Sequence, residues 1–275
     1  MKTSPICVVG MHRSGTSLTT RVLAALGVDL GVPASLIAPD AVDSPAGYQE
    51  QEAIVALDDE LLRALGGHAS EPPAPEDGWE LSAEIQPFAA RASAILGHLY
   101  ERTPWAFKDP RASFLLPFWR TVVPDLRVLI CVRNPLEVAR SMDRRNDPYP
   151  LEHWLEMWAL HLRAAITGSE GSTRKFVVYD DLIADPAGSA QSLAQFALGE
   201  PPAPEQLAAA AALPDSQIRR SAIDDETLLA DPRVDNEIAL SYFRLRDWVR
   251  AAAAEVSADS GSIDSRASNP ITTQP

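Results

Sequence analysis

Two glycines bound a short polar loop whose spacing suits the binding of a phosphate group. Gly10 and Gly15 are separated by four residues, and Ser17 follows two positions later. This spacing matches the pattern G-x-x-x-x-G-K-[ST], in which backbone N–H groups and the positive end of a helix face an anion. Thr16 stands at the lysine position, and Arg13 is the one strong cation of the loop. A nucleoside triphosphatase would therefore lack the lysine that contacts its β- and γ-phosphates.

A second pair of residues can bind another phosphate group. Arg133 ends an apolar run that predicts a buried strand, and Ser141 lies two turns into the helix that follows. Asn134 can cap this helix and Pro135 suits its first position. Ser141 then lies on the same side as the cap, about 10 Å along the helix axis. A guanidinium and a hydroxyl so placed can bind one phosphate, the guanidinium through two parallel hydrogen bonds.

Both motifs resemble those of the sulfotransferases that use 3′-phosphoadenosine 5′-phosphosulfate (PAPS). In that family the 3′-phosphate site has the form Arg-x₇-Ser, which Arg133 and Ser141 match. The 5′-phosphosulfate loop reads basic-Ser-Gly-Thr-[Ser/Thr] and is matched by Arg13, Ser14, Gly15, Thr16 and Ser17. The resemblance extends from the first strand to roughly residue 200. It implies PAPS as the sulfonate donor, adenosine 3′,5′-bisphosphate as the product, and a hydroxyl-bearing small molecule, carbohydrate or lipid as the acceptor.

Two further segments resemble parts of the same family. Tyr179-Asp180-Asp181-Leu182 is similar to a Tyr-[Glu/Asp]-Asp-Leu strand end that supports the nucleotide site. Arg219 and Arg220 resemble a later basic motif that closes on the 3′-phosphate in some members. The resemblance therefore implies that both arginines contribute to cofactor binding.

Lys108, Asp109 and Arg111 follow a short predicted strand at 105–107. The resembling bacterial proteins carry a lysine-containing motif here, next to the acceptor site. The resemblance implies that Lys108, together with Arg13, stabilises charge on the leaving phosphate oxygen, and that Asp109 and Arg111 contact the substrate. Many cytosolic sulfotransferases place a catalytic histidine directly after this lysine. Asp109 and Arg111 stand in that region here, so the catalytic base has to come from elsewhere.

Glu50 is the predicted base. It opens a helix predicted over Gln49 to Leu65, and related sulfotransferases place an acidic residue at such a turn, a glutamate base in some. The positive end of the helix would lower the pKa of Glu50 and make it a weak base, so Glu52 and Asp109 stay as alternatives. His12, inside the first loop, is predicted either to contact the sulfonate or to brace the loop.

Four short apolar runs alternate with helical patterns. They cover 6–9, 105–107, 127–133 and 175–179. This alternation predicts an α/β fold, a three-layer sandwich with a central parallel sheet, and the resemblance implies the P-loop NTPase-like sulfotransferase form of it. Ligand-binding loops leave the carboxyl ends of parallel strands. We therefore expect Arg13, Lys108 and Arg133 at one edge of the sheet.

Proline positions predict several helix boundaries. Asp-Pro or Asn-Pro pairs suit the cap and first position of a helix, and they occur at Asn134-Pro135, Asp185-Pro186 and Asp231-Pro232. The last pair predicts a largely helical stretch that ends near Val256. A helical segment is predicted to reach Val123, and Pro117 leaves open whether that helix is continuous or broken.

Composition limits the class of protein. The chain has 275 residues, of which 46% are hydrophobic, and a net charge of −14, which argues against a nucleic-acid or anionic-membrane partner. Cys7 and Cys131 fall in central strands and predict reduced, buried thiols. There is no apolar run of the roughly 20 residues that a membrane span needs and no room for a signal peptide. The sequence predicts a cytoplasmic protein with one domain over 1–256 and a disordered tail over 257–275.

Two other functions stay open from the sequence. A P-loop small-molecule kinase would use ATP with Mg²⁺, against which the missing lysine argues. A nucleotide-binding module would bind the bisphosphate without catalysis. The sequence contains no metal-ligand motif, and it leaves open both the acceptor and whether the protein is a monomer or a homodimer.

Overall fold

The computed structural model describes residues 4–40, 47–145, 147–199, 201–214 and 222–258. Within these residues, four parallel strands form one sheet in the order β2-β1-β3-β4. The strands are β1 Ile6–Val9, β2 Ala106–Lys108, β3 Arg127–Val132 and β4 Arg174–Val178. Val8 pairs with Lys108 on one side and with Leu129 on the other. Because all four strands run the same way, the loops that follow them leave from one edge of the sheet.

Helices connect the strands and follow the last one. They are α1 Thr16–Ala25, α2 Glu52–Ala64, α3 Gln86–Leu99, α4 Ala112–Val122, α5 Pro135–Asp143, α6 Leu151–Gly168, α7 Tyr179–Ala184, α8 Pro186–Leu198, α9 Pro204–Ala211, α10 Asp225–Ala230 and α11 Asn236–Ala258. In the described part of the chain, no helix combines the length and the apolar character needed to cross a bilayer.

The sheet separates two hydrophobic cores. Successive strand residues point to opposite faces, so Cys7 and Val9 enter the core beneath α2 to α6 and α11. Ile6 and Val8 enter the core beneath α1, α8 and α9. This arrangement confirms the predicted three-layer α/β sandwich. Both cysteines are buried and free, as predicted.

Two of the three predicted caps are confirmed. The Asn134 side chain accepts hydrogen bonds from the N–H groups of Leu136 and Glu137 at the start of α5. The Asp185 side chain accepts one from the N–H of Gly188 at the start of α8. Each aspartate or asparagine thereby satisfies helix amides that have no intrahelical partner.

The prediction of a helix start at Asp231-Pro232 is wrong. Asp231 follows the short helix α10, which the sequence did not predict, and its carboxylate accepts hydrogen bonds from the Arg233 and Arg140 guanidinium groups. Helix α11 begins at Asn236 instead, where Asp235 accepts from the N–H of Glu237. The carboxylate that would have capped a helix is occupied by arginine side chains.

Helix α4 runs through Pro117 without a break, so of the two forms that the sequence left open the continuous helix is the one observed. A proline costs a helix one hydrogen bond. Leu115, Phe118 and Trp119 on the same helix are completely buried in the core, and this packing offsets the loss, since tertiary contacts supply most helix stability in proteins.

Replacing Gly10 by alanine is expected to lower the free energy of unfolding by about 2–6 kcal/mol, the sum of backbone strain and overpacking. Gly10 has a φ of +128°, and a Cβ there would lie 2.5 Å from the Cys131 carbonyl oxygen of β3. Gly78 is the matched control, because its φ is +83° but a Cβ would meet nothing within 4 Å. Urea denaturation measures both variants. Equal losses in Gly10→Ala and Gly78→Ala would show that the contact with β3 has no effect.

Candidate functional site

The loop after β1 has the geometry of an anion-binding turn. Gly15 caps α1 with a φ of +92°, and a Cβ there would lie 2.6 Å from the Tyr179 ring. The first amides of a helix have no intrahelical acceptor, and they carry its positive end. No acidic side chain lies in the first turn of α1. The N–H groups of Gly15, Thr16 and Ser17 are therefore suited to an anion.

Ser14 is oriented differently from its neighbours in the loop. Its N–H donates to the Met11 carbonyl at 3.1 Å. Its hydroxyl is buried, has no hydrogen-bond partner among the described residues, and lines an internal cavity of about 10 Å³. Such a cavity holds about one water molecule. The Ser14 N–H is thus already paired within the loop, and the predicted part of Ser14 in cofactor binding stays a prediction.

Arg13 joins the two predicted phosphate motifs. Its Nε donates to Ser141 Oγ at 2.9 Å, and its carbonyl oxygen accepts from Arg133 Nη1 at 3.1 Å. Its φ of +69° is uncommon for a residue with a side chain. Such strained backbones are concentrated at binding and active sites. Residues 120 and more positions apart in the sequence thus form one basic cluster with the loop.

Arg133 is fixed by contacts on both sides. Its Nε and Nη2 donate to Glu137 Oε2 at 2.8 and 2.7 Å, and its guanidinium lies 4.3 Å from the centre of the Tyr179 ring. Glu137 in turn accepts from the N–H of Ile223 at 2.9 Å. The sequence analysis missed Glu137 as a support of Arg133. Its position four residues after an arginine on a helix was the available signal.

Glu50 and Lys108 form a buried ion pair. Lys108 is the last residue of β2 and exposes 2% of its side chain, and Glu50 exposes 6%. Burial raises the pKa of Glu50 above its ordinary value, and the nearby Lys108 only partly opposes this shift. The expected lowering by a helix dipole is wrong, because α2 begins at Glu52 and Glu50 precedes it. Glu52 is exposed on the first turn of α2.

The segment that carries Glu50 is attached to helix α1 and to the chain that follows it. Ser17 Oγ donates to the Tyr48 carbonyl at 2.9 Å. The Gln51 side chain donates to the Leu30 carbonyl at 2.7 Å, and the N–H of Ile37 donates to the Glu50 carbonyl at 2.8 Å. These contacts hold the backbone on both sides of Glu50 against α1 and the segment after it.

Asp109 and Arg111 contact each other directly after β2. Asp109 is completely buried, and its Oδ1 accepts from the Arg111 N–H at 2.9 Å and from Nη1 at 3.0 Å. Arg111 Nε also donates to Asp59 at 2.7 Å. Two carboxylates therefore neutralise this arginine. The predicted substrate contacts of Asp109 and Arg111 stay predictions, and both side chains already serve the structure of this turn.

His12 lies in the loop after β1 and its ring faces His161 of helix α6. Its ring centre is 6.4 Å from that of His161, whose Nδ1 donates to the Met157 carbonyl at 2.8 Å. Burial lowers the pKa of His12 well below its ordinary value, with Arg111, His161, Lys108 and Arg145 adding to the shift. Burial also lowers the pKa of His161 to about 4. Both imidazoles are neutral at physiological pH, so His12 can offer a hydrogen bond but no charge.

Arg127 and Arg140 have partners outside the basic cluster. Arg127, at the opposite end of β3 from Arg133, donates to the carbonyl groups of Ser4, Phe196 and Ala197. Arg140 pairs with Asp231. Arg219 and Arg220, predicted to close on the 3′-phosphate, fall outside the described residues.

The model of the sulfotransferase family matches residues 5–201. The structure is similar to the sulfotransferase domain from the curacin biosynthetic pathway, with 17% sequence identity, coverage of 93% of this chain and 98% of that chain, and a TM-score of 0.46. It is similar to sulfotransferase STF9 from Mycobacterium avium, with 13% identity, coverage of 96% of this chain and 78% of that chain, and a TM-score of 0.49. It is also similar to retinol dehydratase in complex with androsterone and the inactive cofactor PAP, with 16% identity, coverage of 86% of this chain and 69% of that chain, and a TM-score of 0.40. No curated protein sequence matches this chain.

Proposed function

Because this chain belongs to the sulfotransferase family, we propose that it transfers the sulfonate group of PAPS to a hydroxyl group of an acceptor. The observation that carries the proposal is the contact of Arg13 with both Ser141 and Arg133. It joins the loop for the 5′-phosphosulfate to the residues for the 3′-phosphate. A nucleotide with phosphate groups at both ends of its ribose suits such a site.

The residues present fit this nucleotide. The N–H groups of Gly15, Thr16 and Ser17 would hold the 5′-phosphosulfate, and Arg13 would neutralise it. Arg133 and Ser141 would hold the 3′-phosphate. The packing of Tyr179 supports the assignment of Arg133 to the 3′-phosphate. Because Gly15 has no Cβ, the Tyr179 ring can pack against the loop, and its face contacts the Arg133 guanidinium.

Glu50 and Lys108 would carry the chemistry. The acceptor oxygen forms a bond to sulfur as the bond from sulfur to the phosphate oxygen breaks, and Glu50 takes the hydroxyl proton. A carboxylate with a raised pKa is a better base than an ordinary one. Lys108 has three N–H donors, so it can stay paired with Glu50 while it donates to the leaving oxygen. With Arg13 it would stabilise the charge on adenosine 3′,5′-bisphosphate.

A thermal-shift comparison tests the nucleotide. A ligand that binds only the native state raises the melting temperature. We expect adenosine 3′,5′-bisphosphate to raise it more than ATP or ADP at equal concentration. Stabilisation by ATP with Mg²⁺ but not by the bisphosphate would contradict the proposal and favour a kinase. Bisphosphate binding without transfer from labelled PAPS to any acceptor in a cell extract would favour a non-catalytic module.

Replacing Arg133 by alanine is expected to weaken bisphosphate binding by about 10- to 150-fold, which corresponds to the 1.5–3 kcal/mol of a hydrogen bond to a charged group. Isothermal titration calorimetry measures the change. Arg127→Ala is the matched control, because Arg127 lies on the same strand at the opposite end of the sheet. Equal affinities of Arg133→Ala and Arg127→Ala would contradict the assignment of the 3′-phosphate site.

A further inference from the structure

Two carboxyl groups meet inside the protein next to the Glu50–Lys108 pair. Asp58 on α2 and Asp109 after β2 are both 0% exposed, and they lie within hydrogen-bonding reach of each other. Asp58 Oδ1 accepts from Trp119 Nε1 at 3.0 Å, and Asp109 Oδ1 accepts from Arg111. The remaining oxygens, Asp58 Oδ2 and Asp109 Oδ2, are buried and have no donor among the described residues.

A single proton resolves this arrangement. Ionised carboxylates only accept hydrogen bonds, and two of them in contact in a buried site repel each other. One protonated carboxyl group removes the repulsion and supplies the missing donor for the other. Because buried polar atoms in proteins nearly always have a partner, two orphan oxygens on adjacent carboxyl groups indicate a shared proton.

The neighbours of each carboxyl group decide which one holds the proton. Asp109 contacts the Arg111 guanidinium directly. Asp58 contacts the neutral indole of Trp119. Cys7 on β1 also lies near the two carboxyl groups, and burial raises the pKa of its thiol well above the ordinary value. Burial and the Asp109 charge raise the pKa of Asp58 well above its ordinary value, and the Trp119 indole and Arg111 oppose this only in part.

We propose that Asp58 is a positioning residue that stays protonated at neutral pH and donates its hydroxyl hydrogen to Asp109 Oδ2. Asp109 directly follows Lys108, the last residue of β2. Its Oδ1 holds Arg111, so the bond to Oδ2 fixes the carboxylate between α2 and the turn after β2. This turn determines where the Lys108 ammonium lies relative to Glu50. The catalytic consequence rests on the proposed function, whereas the location of the proton does not.

The proton on Asp58 keeps the charges of the site balanced. With Asp58 neutral, Glu50 is paired with Lys108, and Asp109 with Arg111, which also contacts the partly exposed Asp59. The Asp109 charge already raises the pKa of Glu50. A negative charge on Asp58, in addition to that on Asp109, would push the Asp109 carboxylate away from α2 and disturb the turn that follows Lys108.

Infrared spectroscopy of Asp58→Asn tests the proton directly. Asparagine keeps an acceptor for Trp119 and supplies an N–H donor for Asp109, so we expect this variant to fold. At neutral pH the wild type should show the carbonyl stretching band of a protonated carboxyl group, and Asp58→Asn should lack it. Asp77→Asn, an exposed loop residue, is the control and should keep the band. Absence of the band from the wild type, or its persistence in Asp58→Asn, would overturn the proposal.

The pH dependence of stability is an independent readout. Asp58 keeps its proton in the native state and loses it in the unfolded state, so its contribution is complete below the unfolded pKa and is lost as the pH rises toward the raised native pKa. As the pH rises from acid to neutral, the melting temperature of Asp58→Asn should therefore increase relative to that of the wild type. Asp77→Asn should stay parallel to the wild type. Parallel curves for Asp58→Asn would overturn the proposal.

The positioning role has its own test in transfer kinetics. Asp58→Leu removes both the donor for Asp109 and the acceptor for Trp119, and we expect kcat to fall by about 10²-fold, the cost of a small misplacement in an active site. Asp58→Asn should restore kcat and should lack the alkaline decline that ionisation of Asp58 causes in the wild type. An equal loss of kcat in both variants would overturn the positioning role. If the wild type transfers no sulfonate, the proposed function fails, and the infrared and stability results still decide the location of the proton.

Discussion

Replacing Lys108 by methionine is expected to lower kcat for sulfonate transfer by about 10²- to 10³-fold, the usual loss when one preorganised donor to developing charge is removed. The same change should lower the free energy of unfolding by about 3–5 kcal/mol, because it leaves the Glu50 carboxylate buried without its cation. Both side chains are almost inaccessible to water, so solvent cannot replace the missing ammonium. Assays with labelled PAPS and urea denaturation measure the two effects.

A double variant separates the two consequences of this change. Lys108→Met with Glu50→Gln leaves no buried charge at the pair, so most of the lost stability should return, while kcat should stay low. Lys175→Met is the matched control, since Lys175 lies near the amino end of β4, away from the loops of the site. Wild-type kcat in Lys108→Met would show that the lysine has no part in the transfer step.

Replacing Glu50 by glutamine is expected to lower kcat by about 10²- to 10⁴-fold, the range for loss of a general base, with little change in KM for PAPS. Glutamine has the same size and can still accept a hydrogen bond from Lys108, so the change removes mainly the proton acceptor. The assay is steady-state kinetics with an acceptor identified from the transfer experiment. Full turnover in Glu50→Gln would exclude Glu50 as the base.

The pH dependence of kcat is a second test of Glu50 as the base. Burial raises the pKa of Glu50 above 4.5, and a base must be unprotonated to act, so wild-type kcat should fall as the pH drops through this raised value. Glu50→Gln should lack this acid limb. Glu52→Gln makes the same chemical change two residues away, on an exposed side chain. Loss of the acid limb in Glu52→Gln rather than in Glu50→Gln would identify Glu52 as the base.

Local signals predicted most of the fold. The apolar run at Ile6–Val9 predicts a buried strand, and the glycines around Arg13 allow the positive φ of a tight loop before a helix. Asn134-Pro135 predicts the start of α5, because the Asn134 side chain accepts from the first helix amides. Asp231-Pro232 has the same local pattern and did not start a helix, because arginines from α5 and the following loop occupy its carboxylate.

The sequence by itself determined the parallel α/β architecture, the glycine-bounded loop between β1 and α1, and the family, because each is encoded by short motifs of residues close together in the chain. Only the tertiary structure decided the electrostatics of the site. The pairing of Glu50 with Lys108, the contact between Arg13 and Ser141, and the meeting of Asp58 with Asp109 each join residues more than 50 positions apart. The pKa of a carboxyl group depends on what excludes water from it and which charges face it, and these neighbours are brought together only when the sheet and its helices pack.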